Sequence, residues 1–135
     1  MERSNDAEEA LEQIYKALQA GDVDALSDYL DEDIVLIGTD PEEWWEGKAD
    51  AVRIFRAQAE ELGGGFPIDG GQPTAFAAGE IAWFSNRPAF IVDGERVPCR
   101  HTGVLRRTDG GWRLVSSHIS IGVANEEALG GELTT

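Results

Sequence analysis

The chain has 135 residues, a size suited to one domain around one core, and its 41% hydrophobic content with four Trp and five Phe excludes a disordered chain. A formal net charge of −15, from 26 acidic against 11 basic residues, argues against nucleic acid and anionic membranes as partners, because both are gripped through clustered Lys and Arg. Cys99 is the only cysteine, which excludes an intrachain disulfide; no apolar run approaches the roughly 20 residues of a membrane span, and the acidic start MERSNDAEEA lacks a signal peptide's apolar run, so a cytoplasmic protein is expected.

In chain order, Ala7, Ala10, Leu11, Ile14, Tyr15 and Leu18 recur at offsets of three and four and predict a helix over 5–20. Asn5 with Glu8 resembles a capping box, and Gly21 suits the helix end. Asp22 can cap a shorter second helix that carries Val23, Leu26 and Leu30. The β-branched run DIVLIGTD predicts a strand over Ile34 to Thr39, followed by a turn-like DPEEWWEG. A third helix from about Lys48 to Leu62 buries Ala51, Val52, Phe55, Ala59 and Leu62 and stops at GGG. The glycines of LGGGFPIDGGQPT form a loop, since no P-loop lysine accompanies them. Four strands follow near 74–79, 81–92, 95–108 and 111–123, joined at GE, DG and DGG. The pattern is α+β: three N-terminal helices packed on one face of a curved antiparallel sheet, as a single domain with its core over about 5–123 and an acidic tail over 124–135.

Both histidines flank the Asp109-Gly110 turn signal. A two-residue turn there opposes Thr108 to Gly111, Leu105 to Leu114, Gly103 to Ser116 and His101 to His118. Leu105, Trp112, Leu114, Ser116, His118 and Ser120 would then share one face, with Val104, Val115, Ser117, Ile119 and Ile121 on the other. A bulge would shift this register by one and send the histidines to opposite faces. Because both faces carry apolar residues, a second copy is expected to cover the outer one, giving a homodimer. The same count across Asp93-Gly94 opposes His101 to Asn86, Gly103 to Phe84 and Leu105 to Ala82, with Pro88 and Pro98 disturbing the far end. The expected cavity wall combines Phe84, Asn86, His101, Ser116 and His118.

The early stretch QAGDVDALSDYLDEDIVLIGTD and the late TGVLRRTDGGWRLVSSHIS resemble the SnoaL-like branch of the nuclear transport factor 2-like superfamily, related to ketosteroid isomerase, over about residues 7 to 123. The resemblance implies a cone-shaped α+β barrel with a pocket between helices and sheet, and commonly a dimer. Activities on this fold range from isomerases, cyclases, dehydratases and hydrolases to binding modules, so the fold alone does not select one. Aligned without gaps, the isomerase's tyrosine donor falls on Ile14 and its aspartate base on Gly38, while its second acid falls on Gly103. All three functional groups are missing, yet Tyr15 and Asp40 stand close by.

The candidate catalytic residues are therefore His118 and Asp40, with Tyr15, Trp44, Trp45, Phe55, Phe84, Asn86, His101 and Ser116 as candidate pocket lining. A tryptophan of the Trp44-Trp45 pair could plug the core or close the pocket mouth. Two histidines without a nearby acid fall short of a metal site, and no cofactor is expected. The sequence thus points to a small dimer that binds a small, mostly apolar organic ligand, with cofactor-free acid–base chemistry, or else to a non-catalytic ligand-sensing or dimerisation module.

Overall fold

A computed structural model describes residues 1–135. The elements are β1 (Glu2–Arg3), α1 (Asn5–Ala20), α2 (Val23–Ser27), β2 (Leu30–Ile37), β3 (Trp44–Glu46), α3 (Lys48–Glu61), β4 (Ile68–Asp69), β5 (Thr74–Ala78), β6 (Ile81–Asn86), β7 (Ala89–Val92), β8 (Glu95–Thr108), β9 (Gly111–Ile121) and α4 (Asn125–Leu129). The α+β architecture is the expected one. Helix α1 is capped by Ser4 rather than Asn5: its hydroxyl accepts from the Ala7 amide at 3.2 Å. Glu8 is thereby free for other work, pairing with Arg3 at 2.7 Å and accepting from the Ala75 amide at 3.0 Å, which ties the helix start to β5.

The main sheet runs β1-β5-β6-β8-β9-β2-β3 and is antiparallel at every seam except β2–β9, which is parallel. The strand expected over 81–92 is broken at Arg87-Pro88 into β6 and β7, both paired with β8, because proline has no N–H to give to the ladder. Trp44 to Glu46, expected in a turn, form β3 on the edge of β2, with Trp45 opposite Leu36. The first helices and α3 cover the concave side, and the core between them centres on Leu11, Ile34 and Leu105, all without exposed surface. Each such side chain contributes roughly 1.5–3 kcal/mol by leaving water. No helix is long and apolar enough to cross a membrane.

The β8–β9 hairpin decides the site. Its two-residue turn opposes Thr108 to Gly111 and Leu105 to Leu114, as the sequence predicts. Beyond that pair the ladder slips: Val104 faces Ser116, Thr102 faces His118 and His101 faces Ile119, leaving Val115 unpaired in a β-bulge. Gly103 marks the tight spot, since a Cβ there would lie 2.1 Å from the Ser116 carbonyl oxygen and 2.8 Å from the Phe84 ring. The expected facing of His101 and His118 is corrected accordingly. Ser117 and Ile119 take the inner face, and Ser116 and His118 the outer one. Across β6 and β8 the expected pairs hold, His101 with Asn86, Gly103 with Phe84 and Leu105 with Ala82.

Candidate functional site

A cavity of about 360 Å³ opens between α1, α3 and the concave sheet. Sixteen of its twenty-three lining residues are hydrophobic, among them Ile14, Trp45, Phe55, Leu114 and Ile119. A mostly apolar wall with a few polar groups is the usual character of a small-molecule pocket. The polar groups fall into two clusters.

The first is a buried chain of hydrogen bonds. The amphipathic stripe of α1 carries Tyr15 inward, and its hydroxyl lies 2.5 Å from His101 Nδ1 and 3.0 Å from Asn86 Nδ2. On the other side of the imidazole, Nε2 lies 2.7 Å from Ser117 Oγ. Strands β6, β8 and β9 thus supply Asn86, His101 and Ser117, while Phe84 sets the edge of its contact with the His101 ring at a centroid separation of 4.9 Å. Asn86, His101 and Ser117 are all buried. Burial pushes the His101 pKa down to about 4, with the charge of His118 on the far side of the sheet as a smaller contribution. Burial also pushes the Tyr15 hydroxyl up to about 12, against the effect of its bond to Asn86. Both groups are therefore neutral near pH 7.

The second cluster lies where β2 leaves the sheet. Glu43 lines the cavity, and its carboxylate accepts from the Asp40 amide at 2.9 Å and from the Gln58 side chain at 3.0 Å. It occupies the space a side chain at residue 38 would need. A Cβ on Gly38 would come within 2.8 Å of Glu43 Oε1, so glycine at 38 and the carboxylate of Glu43 go together. Leu36 pairs with Ser117, which places Gly38 two residues further along the neighbouring strand, on the order of 8 Å from Ser117 by strand geometry.

Of the residues expected at the pocket, Tyr15, Trp45, Phe55 and His101 line it. Phe84 and Asn86 stand behind the wall, in contact with His101 and Tyr15. Trp44 is 61% exposed, because strand alternation turns it away when Trp45 turns in. Ser116 and His118 are carried to the outer face by the bulge, and His118 is exposed. Asp40 is exposed as well, its carboxylate accepting the Glu42 amide at 2.8 Å within the turn. The structure therefore brings neither His118 nor Asp40 to the cavity. Sequence reading missed Ser117, Glu43, Gln58 and Ile119; Ser117 was one bulged residue away, and nothing in DPEEWWEG singles out Glu43 from Glu42.

The sequence profile of the SnoaL-like domain matches residues 7–124. No curated protein matches the chain significantly. Among solved structures, a nuclear transport factor 2-like protein of unknown function from Pseudomonas putida has a TM-score of 0.76 at 22% identity, covering 93% of this chain and 93% of its own. A candidate dehydratase of the same superfamily from Streptomyces avermitilis has a TM-score of 0.75 at 19% identity, covering 88% of this chain and 95% of its own. A candidate ketosteroid isomerase from Parabacteroides distasonis has a TM-score of 0.68 at 21% identity, over 84% of this chain and 83% of its own. At these identities the likeness is one of fold.

Proposed function

Since this chain belongs to the SnoaL-like domain family of the nuclear transport factor 2-like superfamily, we propose that it binds a small, mostly apolar organic ligand inside its cone and moves a proton on it without a cofactor. The observation that carries this reading is the pairing of an apolar cavity with one carboxylate, Glu43, standing over Gly38, and one hydroxyl, Ser117, across from it. Glu43 takes a proton from an acidic C–H of the ligand, and the electron pair moves toward an oxygen held at Ser117. Returning the proton to another carbon gives isomerisation; expelling a β-hydroxyl as water gives dehydration. Two structural neighbours described as a candidate isomerase and a candidate dehydratase are compatible with either outcome.

Binding is tested with a neutral environment-sensitive dye such as Nile red. Micromolar binding is expected for the wild type and for His118→Ala, and its loss for Ile119→Trp, which fills the cavity. Equal dye binding by Ile119→Trp would overturn the pocket. Proton transfer is tested by deuterium uptake from D₂O into a bound cyclic ketone, lost in Glu43→Gln with binding kept.

A second reading has its own observation. On the outer face Phe76 stacks on Trp83 with centroids 6.4 Å apart, and Ile81 on the same face is 42% exposed. With α1 and α3 packed on the inner side of the sheet, we infer that a second copy covers this outer face, so the chain is a homodimer. Ile119, expected on that face, lines the cavity instead, so Trp83 is the residue to charge. Trp83→Glu should convert a dimer to a monomer in analytical ultracentrifugation. If that variant still binds dye and the wild type shows no deuterium uptake into the bound ketone, the ligand-sensing dimer is the better description.

A further inference from the structure

The hydrogen-bond chain behind the cavity has a direction, and the backbone fixes it. The Arg87 amide can only donate, so the Asn86 atom 2.8 Å from it is the oxygen. The Gly70 carbonyl can only accept, so the Asn86 atom 2.5 Å from it is the nitrogen. The second hydrogen of that nitrogen points at the Tyr15 oxygen, 3.0 Å away. Tyr15, already accepting there, sends its own hydrogen to the partner that remains, His101 Nδ1 at 2.5 Å. A neutral imidazole whose Nδ1 accepts carries its hydrogen on Nε2, and that hydrogen goes to Ser117 Oγ at 2.7 Å. Ser117 thus accepts from behind and has no protein acceptor for its own hydrogen, while it lines the cavity.

We propose that the ligand of this pocket presents an acceptor oxygen without a hydrogen of its own, a ketone, ester or lactone carbonyl, to the hydrogen of Ser117, in a polarity relayed from Asn86 through Tyr15 and His101. The inference rests on the pocket reading above and adds the ligand's chemical class to it. An ammonium or N–H donor in the same place would leave the Ser117 hydrogen without a partner in an apolar wall, a cost of the order of 1–3 kcal/mol. A ligand carboxylate would leave water for an apolar cavity that already holds Glu43. Consecutive bonds in the chain polarise one another, so the last donor is stronger than an isolated serine. Burial keeps the middle member, His101, neutral, which preserves the direction across the working pH range.

Two measurements test this, and the second needs no ligand. In dye competition, α-tetralone and tetralin share a skeleton and differ in the carbonyl. The affinity ratio of ketone to hydrocarbon is expected to fall about tenfold from the wild type to Ser117→Ala, and the preference for ketone over 1-aminotetralin should narrow in the same variant. A ratio unchanged by Ser117→Ala overturns the assignment, whereas failure of both compounds and the dye to bind the wild type counts against the pocket itself. In ¹⁵N-histidine NMR only two imidazoles appear, and His118→Gln identifies them. His101 should show the Nε2–H tautomer without titrating between about pH 5.5 and 8.5, and Tyr15→Phe should release it into a tautomer mixture. An Nδ1–H tautomer, or protonation of His101 in that range, reverses the chain and sinks the proposal whether or not any ligand binds.

Discussion

The inner and outer faces of the β8–β9 ribbon carry one histidine each, from the same hairpin and adjacent rungs of its ladder. His101, on the inner face, is 6% exposed and held between Tyr15 and Ser117; His118, on the outer face, is exposed beside Thr102. What separates them is one unpaired residue, Val115. The lesson is that a strand residue's chemistry is set by the face it is given before its type matters. Replacing each with alanine puts this to the strongest test. His101→Ala leaves a buried hydroxyl and phenol short of partners and opens a void, and should cost about 4 kcal/mol in urea unfolding. His118→Ala should stay within about 0.5 kcal/mol. Equal costs would erase the distinction between the faces.

The same contrast has a pH signature. The unfolded His101 binds a proton near its ordinary pKa of 6.5, while the folded one waits until about 4. Between those values the unfolded state holds the extra proton, so stability from this group is complete above about pH 6.5 and declines as pH falls toward 4, by about 3 kcal/mol in all. Carboxylates titrate in part of this range too, in a chain with 26 of them, so the informative quantity is the difference between wild type and His101→Gln. That difference should shrink steadily from pH 7 to pH 4. A difference that stays constant over that range would mean that burial does not hold His101 neutral.

Much of this arrangement is legible in the residues. Periodicity gives α1 and α3, and the Asp-Gly turns give the hairpins and the β6–β8 register that opposes Asn86 to His101; that Tyr15 bonds to both is seen only in the structure. Three further features are not legible, for different physical reasons. The bulge goes with a close approach at Gly103, where the Ser116 carbonyl and the Phe84 ring fill the space a Cβ would need, a three-strand packing feature that no single strand's pattern contains. The parallel β2–β9 seam joins segments distant in sequence, and pairing preferences do not say which edges meet. The carboxylate over Gly38 comes from Glu43, five residues on, because the turn folds back and Gln58 on α3 holds it there. An alignment sees only that residue 38 lacks an acid.

A smaller expected effect than the loss of His101 is the most diagnostic of how the two faces are divided. Deleting Val115 removes the unpaired residue of the bulge and nothing from the ladder, so Ser116 can stay opposite Val104, Ser117 opposite Gly103 and Ile119 opposite His101. The inner face keeps its residues and loses only local bend, which should cost about 1 kcal/mol, the size of an ordinary substitution. The His101 tautomer and the dye affinity should be those of the wild type. In an unbroken ladder the outcome differs: the inner residues would be Ser116 and His118, and the deletion would replace them with Ser117 and Ile119. His101 would then lose its histidine neighbour, with a change in its NMR signals and a stability loss of several kcal/mol, roughly what an exchange of buried partners brings. A one-residue deletion that barely registers is thus the evidence that the sheet already places Ser117 inside and His118 outside.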